Sequence, residues 1–422
     1  MAILSKRMRL CCLAAALLLL PFTLESVAAA EPPRSGHAVF DRAVQLVMDN
    51  FHDTSALDRF AESVRRQVED PQSPVNSTSP DARVDAAIDA VLASLRASHT
   101  DRLEPDTIAY FEIADIFRYA IRDDMRRLFP PDGEVTYPGI GMIVRRGDGP
   151  LFVSDVYDGS PAERAGILVG DEIVSVAGAP YHEIRSFRDR AGRSVDVRLR
   201  QSPGAEPIVV KVQVEQLRPL PTFEKAIAES GSIVERDGRK IGYIRLWTLA
   251  ARRSMSNVAE ALAEDALKDA DGLVLDLRGR WGGGSSDAAE LFLGDTPPFR
   301  LIERNGEAML ANVRWRKPLV AIIDEGTRSG LEVFAYALQV NGIKLVGSRT
   351  AGALLAGRAY VLPDDSLLEI AVSDAVIGDD VRLEGVGVQP DVPVDFSLPY
   401  AAGKDPQRDA AIEEMRGILN EG

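Results

Sequence analysis

The sequence predicts a mixed α/β protein with a helix-rich N-terminal part, a strand-rich module in the middle and a core of alternating strands and helices. Three observations predict it. Residues 40–97 carry apolar side chains at helical spacing. Residues 137–217 change to short alternating strands divided by Gly-rich turns. Beyond residue 240, short apolar runs alternate with turns and amphipathic helix faces, the pattern of strands buried in a sheet. A chain of 422 residues has room for two or three domains.

The first thirty residues read as a targeting segment. Lys6, Arg7 and Arg9 form a basic region, and residues 10–20 form an apolar one too short to span a bilayer comfortably. Val27-Ala28-Ala29-Ala30 ends in small residues, which suits cleavage before Glu31. The expectation is a periplasmic or secreted protein without stable membrane insertion after cleavage. An uncleaved anchor is the alternative. Both cysteines, Cys11 and Cys12, lie in this segment, so the remainder excludes disulfides, thiol catalysis and cysteine–zinc sites. Removal of residues 1–30 takes away three basic residues and one acidic residue from a chain of formal charge -15. So acidic a chain is a poor candidate for general nucleic-acid or anionic-membrane binding.

In order, Phe40, Ala43, Val44, Val47 and Phe51 predict a first helix. Residues 71–80 are a loop by composition, and the Asn76-Ser77-Thr78 sequon within it reads as chance. A second amphipathic helix is expected over residues 81–97, followed by Ser98-His99-Thr100-Asp101. On local grounds His99 is a helix end. Val195, Val197 and Leu199 alternate, as do Val210, Val212 and Val214, so both stretches read as half-buried strands. Residues 241–246 and 273–277 are strands, and residues 254–267 a helix between them. The second strand runs into Arg278-Gly279-Arg280-Trp281-Gly282-Gly283-Gly284. This turn is neither GxxxxGK[ST] nor GxGxxG, so the dinucleotide reading is weak. Consecutive glycines also bring backbone N–H groups close to a substrate. The last twenty residues read as a polar tail helix.

Residues 317–357 organise the chain. Residues 319–323 are an apolar strand, broken at Asp324-Glu325-Gly326. Leu331, Phe334, Ala335 and Leu338 then mark one helix face, stopped at Asn341-Gly342. Ser329 sits at the strand-to-helix turn. A hydroxyl there is lifted off the sheet beside unpaired N–H groups, which suits a nucleophile with an oxyanion site. A helix N-cap is the plainer reading.

Two resemblances bear on the choice. Gly159-Ser160-Pro161-Ala162, Ala165-Gly166 and Leu168-x-Gly170-Asp171-x-Ile173 resemble a PDZ domain. That implies a loop over residues 137–142, with Gly139 and Gly141, whose backbone N–H groups take a chain-terminal carboxylate, a following strand that pairs with the peptide, and a peptide groove lined by Ile140, Met142 and Ile143. Asp276-Leu277-Arg278-x-x-x-Gly282-Gly283, Glu325-Gly326-x-x-Ser329-x-x-Glu332 and Gly385-x-Gly387-Val388-x-Pro390-Asp391 resemble the S41 serine peptidases, the C-terminal processing peptidases and their tricorn-core relatives. This implies a ClpP/crotonase-like peptidase core over residues 219–400. A helical region (31–134), a PDZ domain (135–218) and a C-terminal tail helix (401–422) complete the organisation.

The sequence departs from the processing-peptidase pattern at two places. Arg280 stands for an asparagine. Ala353 stands where a lysine base is expected, in Thr350-Ala351-Gly352-Ala353, and alanine accepts no proton. Lys344 reads as a solvated strand end. The tricorn-type branch instead implies a Ser-His-Ser-Glu tetrad. Ser329 would be the nucleophile, His99 the base, and Ser98 and Glu384 its supports, with Gly330 and Gly282 or Gly283 as oxyanion donors. The expected activity is endopeptidic cleavage of extended or unfolded polypeptides engaged by a free C-terminus, with no metal or organic cofactor implied. An inactive PDZ-based binding protein and a small-molecule enzyme on the same core are the alternatives. A homo-oligomer is compatible with this reading.

Overall fold

A computed structural model describes residues 32–421 apart from 77–83, 146–148, 285, 298 and 311. The targeting segment and most of the sequon therefore lie outside the described residues. Helices α1 (Ala38–Asn50), α2 (Leu57–Glu69), α3 (Asp85–Ala93), α4 (Ile108–Ile116) and α5 (Met125–Leu128) form the N-terminal region, interrupted by strand β1 (Asp101–Leu103). Of the helix expected over 81–97, residues 81–83 lie outside the described ones, and α3 ends at Ala93. Its chain turns through Ser94 and Arg96, the latter at a φ of 55°, before reaching β1.

The middle module comprises β2 (Tyr137–Gly139), β3 (Met142–Arg145), β4 (Leu151–Val156), α6 (Pro161–Arg164), β5 (Glu172–Val176), β6 (Ser194–Arg200), β7 (Ile208–Gln213) and β8 (Glu215–Leu217). Five strands form one antiparallel sheet in the order β3-β4-β5-β6-β7. The alternation read at Val195, Val197 and Leu199 points those residues into the module's core.

The core follows with α7 (Pro219–Glu229), β9 (Ser232–Arg236), β10 (Arg239–Arg245), α8 (Ser254–Ala263), β11 (Gly272–Asp276), α9 (Glu290–Leu293), β12 (Arg300–Ile302), β13 (Ala308–Leu310) and β14 (Leu319–Ile323). It ends with α10 (Gly330–Val340), β15 (Lys344–Gly347), β16 (Ala356–Val361), β17 (Leu367–Ser373), β18 (Val392–Pro393) and α11 (Pro406–Glu421). Six strands make the main sheet in the order β18-β15-β14-β11-β10-β9. All its pairings are parallel except β9 with β10. Every residue of β11 and β14 is buried, because helices cover both faces. Leu273, Leu275, Ala321 and Ile323 face one core with α7, α8 and α10.

The other face corrects an expectation. The C-terminal helix is not a polar tail. Ala411, Ile412, Met415 and Leu419 of α11 pack on Val274, Val320, Ile322 and Val346. Its narrow apolar stripe is enough to close the second layer, and Met415 is fully buried.

The N-terminal region is joined to the core by strand pairing. β1 lies antiparallel to β17, with Asp101 opposite Glu369, in a three-stranded sheet ordered β1-β17-β16. A buried carboxylate adds a second joint. Glu112 of α4 accepts from the Tyr157 hydroxyl of the middle module (2.7 Å) and from the Trp281 indole N–H (2.7 Å). It also pairs with the guanidinium of Arg280, the residue that departs from the resembled motif. Removing one partner of such a pair leaves a buried charge uncompensated. Glu112→Ala is therefore expected to destabilise the protein by about 3–5 kcal/mol. Urea unfolding measures this, and a loss under about 1 kcal/mol would show that the joint is dispensable.

Candidate active site

The turn after β14 holds Ser329 at the N-cap position of α10, with φ 56° and ψ -127°. A non-glycine residue in this region carries strain of order 1–3 kcal/mol and persists only where its surroundings hold it. They do so here. The Ser329 N–H donates to the Ala353 carbonyl (2.9 Å) and to Glu332 Oε2 (3.2 Å). Glu332 is fully buried and also accepts from Thr350 Oγ1 (2.6 Å), Gly352 N–H (2.8 Å) and Ala353 N–H (2.8 Å). One carboxylate thus stitches the 350–353 loop to the turn. The N-cap reading and the nucleophile reading of Ser329 describe the same position.

The Gly-rich turn after β11 packs directly on this one. A Cβ on Gly282 would stand 2.3 Å from the Gly330 nitrogen and 2.6 Å from Ser329 Cβ. A Cβ on Gly330 would stand 2.1 Å from the Gly283 carbonyl oxygen. Only glycine permits this approach. Among the described residues, the N–H groups of Gly330, Gly282 and Gly283 have no backbone acceptor. All three are beside Ser329, where donors to an oxyanion are needed.

The other predicted residues converge from far along the chain. Ser98 and His99 immediately precede β1, so its pairing with β17 carries them to the core. Glu384, 286 residues from Ser98, accepts from the Ser98 N–H (2.8 Å) and the Ser98 hydroxyl (2.9 Å). It also accepts from the Leu354 and Leu355 N–H groups (2.8 and 3.3 Å). Ser98 Oγ lies 2.8 Å from His99 Nδ1. Since the Ser98 proton is directed to Glu384, Oγ has only acceptor capacity left for His99. Nδ1 therefore carries the imidazole proton, and Nε2 presents a lone pair.

His99 is 7% exposed and, like Ser329, has a positive φ, 52°. Burial, reinforced by the Arg328 cation and opposed by Glu384, lowers its pKa to about 4. His99 and Ser329 line one cavity of about 230 Å³ with Gly282, Gly283, Trp281, Arg328 and Glu369. No hydrogen bond joins His99 to Ser329 in this conformation. Ala353 meets the Ser329 turn through its backbone, its carbonyl accepting from the Ser329 N–H. Lys344 is half exposed and pairs with Glu414 at 3.1 Å, a solvated strand end as expected.

The PDZ loop needs one correction. Ile140 and Met142 are 1% and 2% exposed and belong to the middle module's own core, so their side chains do not line an open groove. Ile143 packs against the core beneath the main sheet and Ile184 instead. Gly139 and Gly141 are buried beside them, and a Cβ on Gly141 would meet Ser160 Cβ at 2.4 Å. Sequence reasoning did not assign roles to Glu332, Arg328 or Glu369. The S-x-x-E spacing of Ser329 and Glu332 is a legible capping-box signal. The other two carry no local signal.

Residues 240–394 match peptidase family S41, and residues 152–191 match a PDZ domain. The chain is 30% identical over 279 residues to the chloroplastic carboxyl-terminal-processing peptidase 3 of Arabidopsis thaliana, covering 60% of this chain and 53% of that protein. It is 27% identical over 348 residues to a carboxyl-terminal-processing protease of Synechocystis sp., covering 78% and 76%. It thus spans about half the length of the first relative and three quarters of the second. The crystal structure of the tricorn protease shares the fold, with a TM-score of 0.54 and 20% identity over 90% of this chain and 36% of that one. Peptidase family S41 and the PDZ domain are thus what two separate stretches of this chain are similar to.

The His99 environment makes a stability prediction. The unfolded chain binds a proton at His99 near pH 6.5, whereas the folded chain resists it until about pH 4. Between these values the unfolded state holds more protons, so this contribution is complete above about pH 6.5 and is lost as pH falls through about 4. It amounts to about 3 kcal/mol. Urea unfolding of the wild type against His99→Gln across that window is expected to show this difference in slope, and parallel curves would contradict the assignment.

Proposed function

We propose that this chain is a serine endopeptidase that cleaves extended or unfolded polypeptides through an acyl-enzyme on Ser329. The observation that carries the reading is the Glu384–Ser98–His99 relay opening into the same cavity as Ser329. His99 Nε2 takes the Ser329 proton as Oγ attacks the scissile carbonyl. Gly330 N–H and a donor from Gly282-Gly283 hold the oxyanion. The imidazolium, supported through Ser98 by Glu384, then protonates the leaving amine. Water repeats the sequence to release the acyl group. With His99 as base, the alanine at position 353 removes an alternative and not the mechanism.

The relatives are named carboxyl-terminal-processing enzymes, which supports a substrate engaged by its C-terminus. Within the PDZ domain, β3 is an edge strand, and an added peptide strand is the natural occupant of its free side. Arg145 on β3 pairs with Glu325 in the nucleophile turn, which sets this strand next to the site. Export to the periplasm or outside the cell belongs to the same reading. N-terminal sequencing of the protein from its host is expected to begin at Glu31, and retention of Met1 would contradict export with cleavage.

The decisive experiment incubates an unstructured polypeptide bearing an apolar C-terminus with the wild type, Ser329→Ala and His99→Ala. Ser329→Ala is expected to abolish turnover, and His99→Ala to lower it by about 10²–10⁴-fold. The acid limb of kcat/KM should fall near pH 4, where free His99 titrates. Cleavage that survives Ser329→Ala would remove the nucleophile assignment, and undiminished turnover in His99→Ala would remove His99 as base. The lack of a His99–Ser329 hydrogen bond favours a second reading, a PDZ-based binding protein. Tail binding without turnover at neutral and alkaline pH alike would establish that reading instead.

A further inference from the structure

The cavity shared by His99 and Ser329 contains two charged side chains that the proposed reaction does not use. Glu369 on β17 is 3% exposed and faces the cavity. Its Oε1 lies over Gly357, where a Cβ would approach within 2.4 Å. Its carboxyl has no hydrogen-bond partner among the described residues. Buried carboxyls without partners are uncommon, because lost hydration goes uncompensated. Arg328 stands nearby with its guanidinium carbon 5.2 Å from the Trp281 ring centroid. Its Nε is buried without an acceptor, and it makes no ion pair among the described residues. Around these two groups the wall is apolar, formed by Ile113, Phe117 and Trp281.

A carbonyl attacked by Ser329 must come within about 3–3.5 Å of its hydroxyl. Ser329 is itself part of the cavity wall, so the side chain that enters belongs to the residue bearing that carbonyl. Each class of side chain meets a different reception. A charged side chain of either sign meets both Arg328 and Glu369, so it gains at one wall what it loses at the other and gives up its own hydration uncompensated. A small polar side chain leaves the apolar wall unfilled. A purely apolar one fills the wall but leaves Glu369 without a partner. A cavity of about 150 Å³ holds a benzene ring, so about 230 Å³ accommodates an aromatic ring with a polar substituent. We propose that Glu369 is the specificity-determining residue of this cavity. It accepts a hydrogen bond from an uncharged donor at the end of a large, otherwise apolar side chain on the scissile residue, and the tyrosine phenol is the best fit. Burial raises the Glu369 pKa to about 7 despite Arg328, so near neutrality the site does not carry a full buried negative charge.

This inference rests on Ser329 being the nucleophile, and its test separates the two. A set of unstructured peptides differing only at one residue (Tyr, Phe, Leu, Lys or Glu) is offered to the full chain, and cleavage positions and kcat/KM are read. In a second arm the same peptides, amidated at the C-terminus, are titrated onto Ser329→Ala by tryptophan fluorescence, since Trp281 lines the cavity. The wild type is expected to favour Tyr over Phe by about tenfold, the worth of one net hydrogen bond. Glu369→Gln keeps an acceptor and should keep the preference. Glu369→Leu should bring the Tyr-to-Phe ratio to about one, and Glu369→Met provides a second variant without an acceptor should leucine impair folding. An unchanged ratio in both acceptor-free variants, or a preference for Lys, would overturn the proposal. Absence of cleavage alongside a Tyr preference in binding that Glu369→Leu removes would support the role of Glu369 and overturn the peptidase reading.

Discussion

Three residues of β1 laid against β17 decide where the proposed base sits. Asp101, Arg102 and Leu103 pair with Glu369, Leu368 and Leu367, and His99 is two residues upstream. Without this ladder, Ser98 and His99 would be the fraying end of a helical region. Arg102 secures the strand from its side chain. It donates to Ser366 Oγ (3.0 Å) and Asp364 (2.6 Å) from the turn before β17 and also pairs with Asp85. Pairing of strands so distant in sequence requires closing a long loop. The apolar faces of α1 and α2 packing on Leu368 and Ile370 help to offset it.

Buried carboxylates then set the geometry that strand pairing alone leaves loose. Glu332 holds the nucleophile turn, Glu384 holds the base, and Glu112 ties the helical region to the Gly-rich turn and the PDZ domain. Each accepts several N–H or O–H donors, the condition under which a buried carboxylate specifies a structure. This network keeps both Ser329 and His99 at positive φ. Glu369 differs from them, since its carboxyl faces the cavity with no hydrogen-bond partner among the described residues.

Much of the fold was legible because periodicity reports which residues must be buried. The buried run at residues 319–323, the helix face at Leu331, Phe334, Ala335 and Leu338, and the alternation at Val195, Val197 and Leu199 all became elements with those faces inward. The C-terminal helix was misread because its apolar stripe is narrow among charged residues. Only the sheet behind it shows that this stripe suffices. The side chains of Ile140 and Met142 were misplaced for a related reason. A strand pattern shows that a residue is apolar without showing whether it faces a groove or the core beneath it.

The sequence by itself determined the parts. These include a serine at a strand-to-helix turn, a glycine-rich turn able to approach it, a PDZ-like module, and an alanine where a lysine base would stand. All are local, set by backbone conformation and side-chain chemistry within a few residues. Tertiary structure alone decided the convergence. Ser98, Glu384, Ser329, Arg328 and Glu369 come together through β1–β17 pairing and contact between two glycine turns, and no spacing along the chain encodes those distances. It also decided the electrostatics. His99 is a weak base with a free Nε2, and Glu369 a carboxyl held near neutrality, because of what surrounds them once water has been excluded.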